Sequence, residues 1–168
     1  MFKPFLAFLI LLSSTLSFPA TSAAPKPHVI MLQMKIIGIK DGDTVEALYY
    51  KLPLTIRLEH IDAPEKKQDF GTKAKQKLSD LTFGKMVTVV SKGKKGNWDR
   101  NGRLIAEIYT SASLNANKEM VRAGLAWHYE KYSDDPTYGV LQQQARLQKK
   151  GLWADKNPKA PWDFRAKK

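Results

Sequence analysis

The chain has 168 residues, with 28 Lys and Arg against 16 Asp and Glu, so its formal net charge is +12. That length allows one domain with a hydrophobic core, and the excess of positive charge favours a polyanionic partner. The absence of cysteine excludes disulfides, thiol chemistry and zinc–thiolate sites, and the three histidines are not spaced as zinc ligands.

The N-terminal residues have the composition of a secretory signal peptide. Lys3 is followed by an unbroken apolar run over residues 5–12 and then by small residues up to Ala24. The apolar run is too short to span a bilayer, and Pro19 interrupts the residues after it. We therefore expect removal of residues 1–24, a secreted or periplasmic location and no stable membrane association afterwards. A retained membrane anchor is the alternative.

Residues 34–53 have the pattern of paired β-strands. Residues 25–33 are expected to lead into the fold. A first strand is predicted over residues 34–40 and a second, rich in Val and Tyr, over residues 44–51. The Asp-Gly-Asp sequence between the two strands favours a tight turn.

A third strand is predicted from the alternation of apolar and polar residues over residues 54–61. Its apolar residues are expected in the core, so Arg57 projects from the opposite face. Glu59 lies on the same face as Arg57 and is expected at the surface. Pro64 disfavours helix at the preceding residue, so the strand is expected to end near Asp62.

The apolar period then changes to that of a helix. Residues 70–81 are predicted to form an amphipathic helix with a basic outer side. Residues 86–91 and 103–109 are predicted as the fourth and fifth strands. Two more helices are predicted, over residues 114–123 and 138–150, each ended by a glycine.

This order of elements predicts an α+β fold, a five-stranded OB-fold-type β-barrel with three α-helices. Residues 25–168 are expected to form one domain. Its tail, residues 156–168, is expected to be ordered at first and to fray toward Lys167 and Lys168. Trp153 is expected to anchor the last helix to the barrel.

Three short segments carry acidic and basic side chains in a fixed order. They are Asp-Gly-Asp-Thr at residues 41–44, Arg-Leu-Glu-His-Ile-Asp-Ala-Pro-Glu at residues 57–65, and Asp-Arg-Asn-Gly-Arg at residues 99–103. Together they offer acidic ligands for a hard cation, a further carboxylate and two arginines, which is the equipment for phosphodiester hydrolysis. Each segment alone can also be an ordinary turn, loop or strand end.

On these segments, and on Met-Val-Arg-Ala-Gly-Leu-Ala at residues 120–126 and Gly-Leu-Trp at residues 151–153, the chain resembles the thermonuclease family of staphylococcal-nuclease-like secreted nucleases. The resemblance covers about residues 34–155. It implies a Ca²⁺-dependent endonuclease and exonuclease that hydrolyses DNA and RNA with little sequence preference and leaves 3′-phosphate ends. We expect single-stranded nucleic acid to be preferred and the protein to be a monomer.

The resemblance also implies the metal ligands. Asp43 and Asp62 match the calcium-binding carboxylates of the family. Ala63 matches a position that adds a backbone carbonyl, where many relatives have Thr. Carboxylate and carbonyl oxygens are the ligands that Ca²⁺ prefers.

By the same resemblance, the catalytic side chains are Arg57, Glu65 and Arg103. Glu65 matches a glutamate that orients or deprotonates the attacking water. The two arginines match those that bind phosphate and stabilise the charge of the transition state. The main alternative is a module that binds nucleic acid or a protein without cutting it, but such a module would be expected to lack Glu65 or an arginine.

Substrate contacts are predicted from charge and aromatic character. Arg100 and Lys94 flank the proposed site and are expected to follow the phosphate backbone, although either can be an ordinary surface charge. Tyr129 lies near where the family has base-stacking tyrosines, and Trp127 fits either a core or a stacking role. Asn101 stands where many relatives have Tyr, and loss of that ring is expected to weaken nucleotide binding or to change base preference.

Overall fold

The protein is described from a computed structural model that covers residues 28–111 and 113–166. The predicted signal peptide and the predicted fraying of Lys167 and Lys168 lie outside these described residues. None of the helices in the described ranges is long and apolar enough to cross a membrane.

The strands in these ranges are β1 (Val29–Ile39), β2 (Thr44–Tyr49), β3 (Leu52–Leu58), β4 (Ile61–Asp62), β5 (Met86–Lys92), β6 (Asn97–Trp98), β7 (Leu104–Tyr109) and β8 (Trp127–His128). The α-helices are α1 (Gly71–Thr82), α2 (Ala116–Arg122), α3 (Thr137–Leu147) and α4 (Pro161–Ala166). Two 3₁₀ turns lie at Glu130–Tyr132 and Gly151–Ala154.

Five of these strands close into a barrel. Antiparallel pairs join β1 to β2 and to β5, β2 to β3, and β5 to β7. A parallel pairing of β3 with β7 completes the ring. This closed ring of five strands confirms the predicted α+β fold with an OB-type five-stranded barrel. Each barrel strand also overlaps the range that was predicted for it.

The first strand begins earlier than its sequence pattern indicated. The expectation that residues 25–33 only lead into the fold is wrong for residues 29–33, because these pair with residues 88–92 of β5. Strands β4, β6 and β8 have two residues each, which is too short for a periodic signal. Helix α4 lies within the predicted tail and adds a fourth helix to the three expected.

The interior of the barrel is filled by apolar side chains at alternating positions along the strands. This alternation follows from the two-residue period of a β-strand, which turns every second side chain inward. The fully buried members of β1, β2, β3 and β7 include Met34, Ile36, Val45, Ile56, Leu104 and Ile108.

The C-terminal ends of α2 and α3 are pressed against each other. Gly124 has a φ of 67°, and a Cβ atom there would lie 2.2 Å from the carbonyl oxygen of Lys150. The amide of Leu152 donates to the carbonyl of Gly124 over 2.9 Å. Trp153 is buried in the adjacent apolar cluster, against Trp127, as expected for a residue that anchors the last helix.

Candidate active site

The three motif segments line one cavity of about 850 Å³. Its walls come from the turn before β2, from the end of β3 through the loop after β4, and from the turn between β6 and β7. Tyr129, Tyr132 and Arg165 also line it. Residues that are far apart in the sequence are therefore brought together by closure of the barrel and by docking of α4.

Arg57 joins the two carboxylates that were predicted to bind metal. Its Nη2 lies 3.1 Å from Asp43 Oδ2 and 3.0 Å from Asp62 Oδ1. Its Nη1 donates to the carbonyl oxygen of Leu58 over 2.6 Å, which holds the planar guanidinium in one orientation. Both carboxylates are buried, so the Asp43 and Asp62 oxygens face the same positively charged atom away from bulk water.

Asp43 is held by its neighbours in the turn and by the loop after β4. The hydroxyl of Thr44 donates to Asp43 Oδ1 over 3.1 Å, and the amide of Ala63 donates to Oδ2 over 2.7 Å. Burial raises the pKa of Asp43 to about 7, and the nearby carboxylates of Asp41 and Asp62 add to this shift against the opposing effect of Arg57. This corner of the cavity therefore favours additional positive charge.

Glu65 lies on the loop between β4 and α1. Its amide donates to Gln68 Oε1 over 3.1 Å, and its carbonyl accepts from the amide of Gln68 over 2.8 Å. Helix α1 begins at Gly71, where a Cβ atom would lie 2.0 Å from the carbonyl oxygen of Glu65. Glycine at this position lets the loop pack closely against α1, so the Glu65 backbone is fixed while its side chain lines the cavity.

Arg103 is positioned by Asp99 across the turn between β6 and β7. The Asp99 carboxylate accepts from Arg103 Nε over 2.7 Å and from the backbone amides of Arg103 and Asn101, each over 2.9 Å. Burial of the Asp99 carboxyl raises its pKa, but these hydrogen bonds outweigh burial and leave it below its ordinary value. Asp99 therefore stays ionised and orients Arg103 in the cavity.

Arg165 of α4 is a site residue that no sequence pattern predicted. Its Nη2 lies 2.7 Å from Asp62 Oδ2, and its Nη1 lies 3.3 Å from Asp62 Oδ1 and 2.8 Å from Glu65 Oε1. The hydrogen bond to Asp62, and to a smaller extent that to Glu65, raises the pKa of the Arg165 guanidinium above its ordinary value. Nothing local in the sequence distinguishes this arginine from the other basic residues of the tail.

The predicted substrate-binding residues are placed differently from one another. Arg100 and Tyr129 line the cavity, whereas Lys94 does not and lies on an exposed turn. Tyr129 stacks on Trp162 of α4 with ring centroids 5.2 Å apart and an angle of 7° between the planes. Asn101 also lines the cavity.

The expectation that Glu59 lies at the surface is wrong. Its side chain is buried, and Lys92 Nζ lies 3.1 Å from its Oε1. The same ammonium group lies 2.8 Å from Asp134 Oδ1, so Lys92 joins two acidic residues. This network surrounds a side chain that the alternating pattern had assigned to solvent.

The donor atoms at the Asp43 corner suit a hard cation in part. Within residues 28–111 and 113–166, no three His, Cys, Asp or Glu side chains are grouped as a metal site. Asp43 and Asp62 nevertheless direct carboxylate oxygens toward a common cation, the guanidinium of Arg57. Two such oxygens with a backbone carbonyl fit a Ca²⁺ shell that water and substrate complete, and they do not form a closed protein cage.

Comparisons with known proteins find relatives that are named as nucleases. A family model described as "Staphylococcal nuclease homologue" matches residues 55–155. An "Uncharacterized endonuclease" of Escherichia coli O157:H7 is 44% identical over 134 residues, which are 80% of this chain and 85% of that protein. One of Haemophilus influenzae is 44% identical over 132 residues, 78% of this chain and 71% of that protein. A "Micrococcal nuclease" of Shigella flexneri is 37% identical over 142 residues, 78% and 79% of the two chains.

Proposed function

This chain belongs to the staphylococcal nuclease homologues and is a nuclease, and we propose that it hydrolyses DNA and RNA with Ca²⁺, a glutamate base and two arginines. The observation that best supports this proposal is that Asp43, Asp62, Arg57, Glu65 and Arg103 line one cavity. Carboxylates for a cation, a carboxylate for a water molecule and guanidinium groups for a phosphate are therefore within reach of one substrate.

Asp43 and Asp62 would hold the Ca²⁺ ion, and the backbone carbonyl of Ala63 would add a ligand. The bound ion would supply positive charge to a phosphoryl oxygen, which favours attack at phosphorus. Burial of both carboxylates supports this assignment, because ionised carboxylates away from water need a compensating charge.

Glu65 would act as the base. Its side chain is 35% exposed, so it can meet a water molecule in the cavity. It would accept a proton from that water as the new bond to phosphorus forms. The bond from phosphorus to the 5′ oxygen would break and that oxygen would take a proton from solvent, giving one product with a 3′-phosphate and another with a 5′-hydroxyl.

Arg57 and Arg103 would bind the phosphate that is cleaved. Both guanidinium groups are pre-oriented, Arg57 by Leu58 and the two carboxylates and Arg103 by Asp99. Pre-oriented charged donors stabilise the negative charge that develops on the phosphoryl oxygens without further reorganisation. The planar fork of arginine is suited to this task because it can donate two parallel hydrogen bonds to phosphate.

The substrate is proposed to be sequence-nonspecific DNA or RNA, with single strands preferred and cleavage both within strands and from their ends. Arg100 would contact the backbone next to the cleaved phosphate, and Tyr129, which lines the cavity beside Trp162, would contact a base. Lys94 would contact only strands that extend beyond the cavity. The protein is proposed to be exported, to lose residues 1–24 and to act as a monomer. Mass spectrometry of the exported chain would test the removal of residues 1–24.

The purified protein should be incubated with single-stranded DNA in millimolar calcium, with and without chelator. A Glu65→Gln variant tests the base, and Glu46→Gln is a matched control because Glu46 does not line the cavity. We expect cleavage by the wild type and the control only with calcium, and a loss of at least about 10² in rate for Glu65→Gln. The products should resist extension by a polymerase until a phosphatase removes the 3′-phosphate.

Two outcomes would count against this proposal. Tight binding of intact DNA under every condition would favour a module that binds without cutting. Cleavage that survives both chelator and Glu65→Gln would place the chemistry elsewhere in the protein.

A further inference from the structure

The terminal helix α4 places a third arginine against the proposed metal ligand and the proposed base at the same time. Arg165 Nη2 lies 2.7 Å from Asp62 Oδ2, and Nη1 lies 2.8 Å from Glu65 Oε1. A planar guanidinium with two donors directed at two carboxylates is a strong, charge-assisted arrangement. Arg165 lies 100 positions after Glu65 and 103 positions after Asp62 in the sequence.

Helix α4 is docked at its first residues. Gln68, beside Glu65 on the loop, donates through Nε2 to the carbonyl of Lys159 over 2.6 Å. Ala160 and Pro161 are buried. Trp162 stacks on Tyr129 and lies edge-on to Trp127 with ring centroids 5.5 Å apart. These contacts hold the start of α4 against the protein. The last turn of the helix can therefore place Arg165 in the cavity, and Arg165 can leave the cavity while the start of the helix stays docked.

Arg165 and a divalent cation compete for the same oxygens. Asp62 Oδ1 already accepts from Arg57 Nη2, and Arg165 contacts both Oδ1 and Oδ2. Little accepting capacity on this carboxylate is left for a further positive group. A cation bound to Asp62 would also lie close to the guanidinium charge of Arg165, and like charges at that distance repel strongly in a partly buried site.

Of the two arginines on Asp62, Arg165 is the one that can leave. The Arg57 side chain is 14% exposed and belongs to a barrel strand, whereas that of Arg165 is 41% exposed and belongs to a helix of only six residues. Arg165 also carries both contacts, so its departure from Asp62 would release Glu65 in the same event.

We propose that Arg165 is the counter-cation of Asp62 and Glu65 when no divalent cation is bound, and that calcium binds by displacing it. This inference rests on the proposed function, because it takes Asp62 as a metal ligand and Glu65 as the base. Arg165 thereby lowers the affinity of the site for calcium, and it keeps the Glu65 carboxylate in an ion pair until calcium binds.

Calcium binding to the full chain, measured by isothermal titration calorimetry, tests the inference without relying on activity. Arg165→Gln should bind calcium about tenfold more tightly than the wild type. Arg165→Lys keeps a charge without the fork and should lie between the two. Arg122→Gln is the matched control, because Arg122 pairs with Glu119 on α2 and does not line the cavity, and its affinity should equal that of the wild type.

A second variant leaves every charged side chain of the protein unchanged. Trp162→Ala removes the ring that stacks on Tyr129, so α4 should dock less firmly and calcium should bind more tightly than in the wild type. In chelator, Arg165→Gln should melt at a lower temperature than the wild type, because Asp62 and Glu65 lose a partner. Saturating calcium should narrow that difference, which circular dichroism would show.

The results distinguish failure of this inference from failure of the proposed function. Equal or weaker calcium affinity in Arg165→Gln and in Trp162→Ala would overturn the competition while leaving a calcium site intact. Absence of calcium binding in the wild type and in every variant would overturn both the competition and the proposed use of calcium.

Discussion

The guanidinium of Arg57 lies 3.0 Å from the carboxylate of Asp62, five positions further along the chain. Between them His60 has a φ of 69°, so the backbone turns sharply after β3. Ile61 and Asp62 then pair with His128 and Trp127, which holds the turn in place. The ion pair therefore depends on a reversal of the chain that a second sheet, made of two two-residue strands, stabilises.

Arg57→Lys should lower kcat on single-stranded DNA by about 10²–10³. Lysine keeps the positive charge but cannot reach both carboxylates and a phosphate with a planar fork. Arg122→Lys, on the exposed side of α2, is the control and should keep the wild-type rate. A kcat within a few-fold of the wild type for Arg57→Lys would show that the fork is not required.

Asp43 should make stability depend on pH in an unusual direction. Burial raises its pKa from 3.8 to about 7 in the folded protein, so between these values the folded state binds the proton and the unfolded chain does not. Its contribution to the free energy of unfolding is therefore full below pH 3.8 and is lost as the pH rises toward 7. Asp43→Asn removes this dependence.

In chelator, the melting temperature of Asp43→Asn relative to the wild type should therefore increase from about pH 4 to about pH 7 and then level off. Calorimetry across this range would measure the difference, in which the titration of the other carboxyls largely cancels. A difference that does not change with pH would show that Asp43 titrates near its ordinary value.

Asn117 ties α2 to the barrel. It is fully buried, its Oδ1 accepts from the amide of Ile108 over 3.1 Å, and its Nδ2 donates to the carbonyls of Glu59 and Ala106 over 3.0 and 3.1 Å. Asn117→Ala would leave these backbone groups without the side-chain partner, so we expect a loss of about 3 kcal/mol in the free energy of unfolding. Urea denaturation, with the exposed Asn157→Ala as control, measures it. A loss no larger than that of the control would contradict this account.

A buried and an exposed tryptophan, Trp153 and Trp98, can be compared to test whether Trp153 anchors α3. Trp153 is 7% exposed and lies under the guanidinium of Arg146, whose Cζ is 4.2 Å from the ring centroid, whereas Trp98 is 48% exposed. Trp153→Ala should cost about 3–5 kcal/mol of stability. Trp98→Ala should cost far less. Similar losses for the two variants would mean that Trp153 is not an anchor.

Arg100 and Lys94 should differ in their effect on binding. In the Glu65→Gln background, which slows cleavage, Arg100→Gln should reduce the slope of log affinity against log salt by about 0.7 for a short single strand, as expected for one lost phosphate contact. Lys94→Gln should leave that slope unchanged, because Lys94 lies outside the cavity, and should affect only longer strands. Equal effects on a short strand would place Lys94 within the binding site.

Much of the fold was predictable because its signals are local. Alternation along β3 and β7 and a helical period over α1 are properties of a few consecutive residues, and each element lies within a few residues of its predicted position. Glu59 shows the limit of this reasoning. Alternation assigned it to the exposed face, but Lys92 of β5 reaches that face and forms an ion pair with it there.

The short elements had no such signal. Strands β4 and β8 have two residues each and are stable only because they pair with one another. Helix α4 has six residues, too few for a periodic pattern to predict a helix on its own. These elements nevertheless hold Asp62, Tyr129 and Arg165 at the cavity.

The sequence by itself determined the order of the barrel strands along the chain and the chemical types of the candidate site residues, because both follow from consecutive residues and their spacing. Which arginine side chain faces each carboxylate was decided only by the tertiary structure. Asp62 and Arg165 are 103 positions apart, and they meet because α4 docks on Trp127 and Tyr129 through Trp162. A contact of that range depends on how complete elements pack together, and no local pattern encodes it.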